Sequence, residues 1–66
     1  MHLIINGKEM QTPDSISVTE LLTHLQLENK MAIVEINQSI INKSSYEVTK
    51  LADGDRIEIV HFVGGG

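Results

Sequence analysis

The chain has 66 residues, 41% of them hydrophobic, with five basic residues against nine acidic, no cysteine and a formal charge of −4. A chain this short buries only about 60% of its unfolded surface, which leaves room for one small core and none for a self-sufficient catalytic cleft. The missing cysteines exclude disulfides, zinc-thiolate sites and a thiol nucleophile, and the acidic balance argues against binding to a phosphate backbone.

Taken in chain order, residues 2–5 are apolar and β-branched and lead straight into Asn6-Gly7, a pair suited to the positive φ angles of a type I′ hairpin. A return strand is expected over residues 8–12 with Met10 inward, ended by Pro13, which has no backbone donor. Ser17 and Glu20 form a Ser-x-x-Glu capping box, with Ile16 and Leu21 at the staple positions, so a helix starts here. Val18, Leu21, Leu22 and Leu25 follow at i, i+3, i+4 and i+7, one apolar stripe that must lie on a sheet.

Beyond a loop near residues 28–30, the apolar run 31–36 has the length and branching of a strand, and Ile40 and Ile41 suit another short one. Residues 42–49 are polar, with Tyr46 and Val48 at the parity to dip into the core. The Asn37 and Asn42 sequons read as turn chemistry. Asp53-Gly54-Asp55 is a turn, and residues 56–63 are a last strand with Ile57 and Ile59 on one face. The order predicts an α+β, β-grasp domain over residues 1–63: a mixed sheet of four to five strands, first and last parallel at its centre, one main helix on one face.

Two features at the end of the chain carry chemistry. Parity puts Glu58, Val60 and Phe62 on the face of the last strand away from the helix. A Phe beside a β-branched residue there is either an ordinary exposed apolar residue or part of a docking patch. Gly64-Gly65-Gly66 follow Val63 directly, as a frayed terminus or as a thread without side chains that spans about 10 Å at roughly 3.3 Å per residue. Such a thread can carry a terminal carboxylate through a narrow channel into another protein's active site.

The histidines offer no enzyme of their own. His2, His24 and His61 fall on an edge, a helix surface and the last strand, where the parity of His61 with Ile57 and Ile59 suggests the rim of the core. Asp53 and Asp55 belong to the turn, and with Glu58 they offer an acidic rim to a basic partner. With no basic lead before an apolar stretch and no run of roughly 20 apolar residues, a cytoplasmic chain without a membrane span is expected.

The segment Asp-Gly-Asp-Arg-Ile-Glu-Ile-Val-His-Phe-Val-Gly-Gly-Gly, residues 53–66, closely resembles the ThiS family of sulfur carrier proteins of thiamine thiazole biosynthesis. The resemblance extends through Asn6-Gly7-Lys8, Leu21-Leu22 and residues 32–37. It implies a ubiquitin-like β-grasp fold and a protein cosubstrate in place of an enzyme. A ThiF-type adenylating enzyme would use MgATP to turn the Gly66 carboxylate into an acyl adenylate, and a persulfide sulfur donor would convert this to a thiocarboxylate. Thiazole synthase of the ThiG type would then take the sulfur. The chain itself would hold no cofactor and no metal. Gly64 and Gly65 would form the tail, and Glu58, Val60, Phe62 and Val63 the surface that meets partners. The small subunit of molybdopterin synthase shares this logic, and a non-covalent β-grasp module or a conjugation tag are the alternatives from other classes.

Overall fold

The computed structural model describes residues 1–62. Strands β1 (His2–Ile5), β2 (Lys8–Gln11), β3 (Ala32–Ile36), β4 (Ser39–Ile40) and β5 (Arg56–His61) form one sheet, with helix α1 (Val18–His24) between β2 and β3. The sheet order is β2-β1-β5-β3-β4: β1 and β5 run parallel at the centre, and every other neighbouring pair is antiparallel. This is the arrangement expected from the order of elements.

The local causes are legible in the backbone. Asn6 and Gly7 have φ of 50° and 81°, as a two-residue turn matched to strand twist requires. At the helix start the Ser17 hydroxyl accepts from Glu20 N at 3.1 Å, and Ser17 N donates to Glu20 Oε1 at 2.9 Å. A Ser cap of this kind contributes about 1 kcal/mol. The Ser17 N–H is also the main reason that the Glu20 carboxyl sits below the ordinary carboxylate range. Because that value is depressed by folding, the contribution is present above the unfolded value and is lost as pH falls through the lowered one.

The helix ends at His24. Gln26, at φ 62°, takes the left-handed position, Gln26 N donates to Thr23 O at 2.9 Å and Leu27 N to Leu22 O at 2.7 Å. This is a Schellman closure with glutamine where glycine is usual.

The core lies between the helix and the inner face of the sheet. Leu3, Val18, Leu21, Val34 and Ile57 are almost fully enclosed, with Ile5, Leu22, Ile59 and Leu51 beside them. Met10 and Leu25 are half-buried against this cluster, so the expected stripe and the inward Met10 both hold. The segment before β5 is fastened to the helix start by Val18 N to Thr49 O, 3.0 Å, and Leu51 N to Ile16 O, 2.9 Å.

Residues 42–49 depart from the expected parity. Tyr46 is buried and its hydroxyl donates to Ala32 O at 3.0 Å, but Val48 is 75% exposed. The segment begins with a 3-10 turn, Lys43–Ser45, and continues as turns, so a strand's two-residue alternation does not apply to it.

Candidate functional site

β5 is the strand that leads to the chain's glycine end. It is flanked by β1 on one side and β3 on the other, and its parity is fixed by burial: Ile57 and Ile59 are enclosed in the core, while Glu58, Val60 and Phe62 are exposed. The expected outward face is therefore present. Val63 and the glycines Gly64, Gly65 and Gly66, including the boundary between domain and tail, lie outside the described residues.

That face is wider than the sequence indicated. Register places Ile33 of β3 opposite Val60, and Phe62 N donates to Met31 O at 3.0 Å. Met31 and Ile33 share the outer surface with Val60 and Phe62, and Ile40 of β4 stands across from Glu35 on the same surface. Of the apolar run 31–36, only Ala32 and Val34 are enclosed. Its alternate residues make half of an exposed apolar patch, of the kind that marks interaction surfaces.

Asn6 holds β5 where β1 ends. The last β1 pairing is Ile5 with Ile57, and Asn6 N donates to Ile57 O at 2.8 Å. Beyond that point the Asn6 side chain replaces a strand: Oδ1 accepts from Ile59 N at 2.8 Å and Nδ2 donates to Ile59 O at 3.1 Å. Asn37 works similarly at the other end of β5, where its Oδ1 accepts from Arg56 N at 3.0 Å. The sequence marks Asn6 as a turn residue; its second role follows only from the three-dimensional position of β5.

The acidic rim is only partly a surface feature. Asp53 Oδ1 accepts from His2 N at 2.6 Å, and Asp55 accepts from Ala52 N at 2.8 Å and Asn37 Nδ2 at 3.1 Å. Asp53 ties the turn to the start of β1 and Asp55 closes it, so both carboxylates have structural partners, whereas Glu58 stands on the outer face of β5. His61 is a correction: it is exposed, not at the core's rim, because β5 runs past the end of β1 and the core on this strand stops at Ile59. His2 Nε2 lies 3.1 Å from Glu9 Oε1, while His24 is exposed at the helix end. Among the described residues no three His, Cys, Asp or Glu side chains gather as a metal site, and no helix is long and apolar enough to cross a membrane.

A five-stranded mixed sheet with parallel central strands, one helix on its inner face and an apolar outer face beside the exit of β5 defines a ubiquitin-like β-grasp protein. The ThiS family matches residues 3–66. The sulfur carrier protein ThiS of Bacillus subtilis is 51% identical over 65 residues, covering 97% of this chain and 98% of that protein. The crystal structure of the thiamine biosynthesis protein ThiS from Geobacter metallireducens superimposes with a TM-score of 0.84 at 35% identity, each chain covered completely. A thiazole synthase of Paramagnetospirillum magneticum is 44% identical over 66 residues, all of this chain and 20% of that protein. The chain belongs to the ThiS family, the small sulfur carriers of thiamine biosynthesis.

Proposed function

We propose that the α-carboxylate of Gly66 is the group on which sulfur is carried, and that the folded body is the handle by which partner enzymes hold it. The observation that carries this reading is the construction of β5. The strand is fixed on both sides as far as Ile59, turns an apolar face outward at Val60 and Phe62, and runs on in sequence to three glycines.

The chemistry follows from leaving groups. A carboxylate oxygen leaves poorly, so a ThiF-type enzyme with MgATP joins the carboxylate to the α-phosphorus and releases pyrophosphate, giving an acyl adenylate. The terminal sulfur of a persulfide donor attacks the acyl carbon and AMP departs. A second thiol then attacks the donor's inner sulfur, forming a disulfide with it and releasing the outer sulfur as the thiocarboxylate, so that atoms and electrons balance. Thiazole synthase receives the sulfur, and the restored carboxylate returns to the cycle. The match between this chain and a segment of a thiazole synthase supports that partnership. Glycine at Gly64, Gly65 and Gly66 keeps the thread narrow and the acyl carbon unhindered. Ordering three such residues in a channel costs on the order of 1 to 2 kcal/mol each, which docking by Val60, Phe62, Val63 and Glu58 offsets.

Incubation with the adenylating enzyme, MgATP and a persulfide source, followed by intact-mass measurement, tests this reading. The expected change is the replacement of one oxygen by one sulfur at the C-terminal residue, and an unchanged mass counts against it. Phe62→Ala tests the handle. Phe62 is 52% exposed, so its loss should cost well below the roughly 3 to 5 kcal/mol of a core Phe. Binding to the adenylating enzyme should weaken about tenfold or more, and a large drop in melting temperature would instead place the ring in the core.

A further inference from the structure

The outer face of the sheet sets two like charges across one position of the ladder. β3 and β5 are antiparallel, with Glu35 opposite Glu58. The ladder bonds Phe62 N to Met31 O and Asn37 N to Arg56 O set the alternation, so Glu35 and Glu58 form a hydrogen-bonded pair, with Cα atoms about 5.5 Å apart. Their neighbours Val34, Ile57 and Ile59 face the core, so both carboxylates stand on the outer surface. Like charges directly across a ladder are destabilising.

Neither carboxylate is in a direct ion pair among the described residues. Among the described residues the ion pairs are Met1 with Asp14, His2 with Glu9 and Lys50 with Glu20, and none includes Glu35 or Glu58. Arg56 shares the face two residues before Glu58 but makes no ion pair with it. The two glutamates also border the apolar patch: the next residues outward along the ladder are Ile33 opposite Val60, and Ile40 stands on the other side of Glu35.

We propose that Glu35 and Glu58 together receive one cationic side chain of thiazole synthase, an arginine or a lysine, when that enzyme docks on Ile33, Val60 and Phe62. The choice of partner rests on the function proposed above; the pairing of the carboxylates does not. The net charge of −4 favours a basic partner face. The relative that joins a segment like this whole chain to a thiazole synthase in one polypeptide points to that enzyme as the occupant. A guanidinium spans two carboxylates with separate N–H donors, and in a site drying against an apolar patch such charge-assisted bonds strengthen. The same pair therefore lowers the stability of the free chain and raises its affinity for the partner, a combination that a purely structural pair does not produce.

Glu58→Gln, Glu35→Gln and Glu58→Lys separate the two effects. Thermal melts of the free proteins should rise in all three, most in Glu58→Lys, which converts repulsion across the ladder into attraction. Affinity for purified thiazole synthase, measured over a range of salt, should fall about tenfold in the Gln variants and further in Glu58→Lys, with a flatter salt dependence than the wild type. Lowered melts, unchanged affinity and salt slope, or no binding by the wild type would each overturn the proposal. Thiocarboxylate formation is followed separately by mass in every variant. Its absence in the wild type would remove the carrier reading, while the melts and binding would still report on the pair.

Discussion

Gly66→Val should reduce thiocarboxylate formation by at least about 100-fold while the melting temperature stays where it is. The described core ends on β5 at Ile59, seven positions earlier in sequence, and the expectation is that it stays intact. Substitutions that leave a core, its caps and its hydrogen bonds untouched usually move stability by no more than about 0.5 kcal/mol. At the reacting carbon the effect is large. A branched Cβ stands beside the carbonyl that must first reach the α-phosphorus of ATP and then accept a sulfur nucleophile, and misplacement by about 1 Å in such a step costs roughly 100-fold. Intact mass after a fixed incubation measures the sulfur incorporated. Incorporation at the wild-type rate would mean that Gly66 is not the reacting residue.

Asn6→Ala should be the most damaging single change among the exposed residues. It removes both bonds to Ile59, each worth about 1 kcal/mol, and puts alanine in place of an asparagine at a φ of 50°, where asparagine is the better tolerated of the two and the difference is up to about 1 kcal/mol. The sum of about 3 kcal/mol corresponds to a fall in melting temperature of roughly 12 to 24 °C for a domain of this size. Asn6→Gly restores the backbone freedom without restoring the bonds, so it should recover about 1 kcal/mol of the loss. Thermal and urea unfolding of both variants check this. A near-neutral Asn6→Ala would show that the side-chain bridge to β5 contributes little.

Much of this molecule is written locally. Ser17 and Glu20 announce the helix start because a cap is a matter of residues three apart, and Asn6-Gly7 announces the hairpin because its dihedral angles restrict the residue types. The stop after His24 was less visible, since the left-handed position is held by Gln26 and lacks the usual glycine. Alternation places Val60 and Phe62 outward correctly because β5 is a regular strand. The same argument fails at Val48, which lies in turns, and at His61, where the strand outlives its neighbour.

The least legible features are those that depend on register. Met31, Ile33 and Ile40 join the outer patch only because β3 lies beside β5 and β4 beside β3. Glu35 meets Glu58 across 23 positions of sequence for the same reason. The Asn6 bridge to Ile59 belongs here too, since an amide that imitates a strand is indistinguishable in sequence from one that only turns. The glycine end is legible as composition, and the chemistry proposed for it rests on that composition and on the family.

The Asn6 bridge also bears on how this protein ages. An asparagine followed by glycine is prone to losing side-chain ammonia, because the unhindered backbone nitrogen of Gly7 can close a five-membered imide on the Asn6 amide carbon. Here that amide is held against Ile59 by both its oxygen and its nitrogen, so ring closure requires the bridge to open first. The damage, once done, does not reverse: hydrolysis leaves a carboxylate facing the Ile59 carbonyl, two acceptors with no proton between them. Conformational opening of the hairpin thus sets the chemical lifetime of the strand that leads to the glycine end.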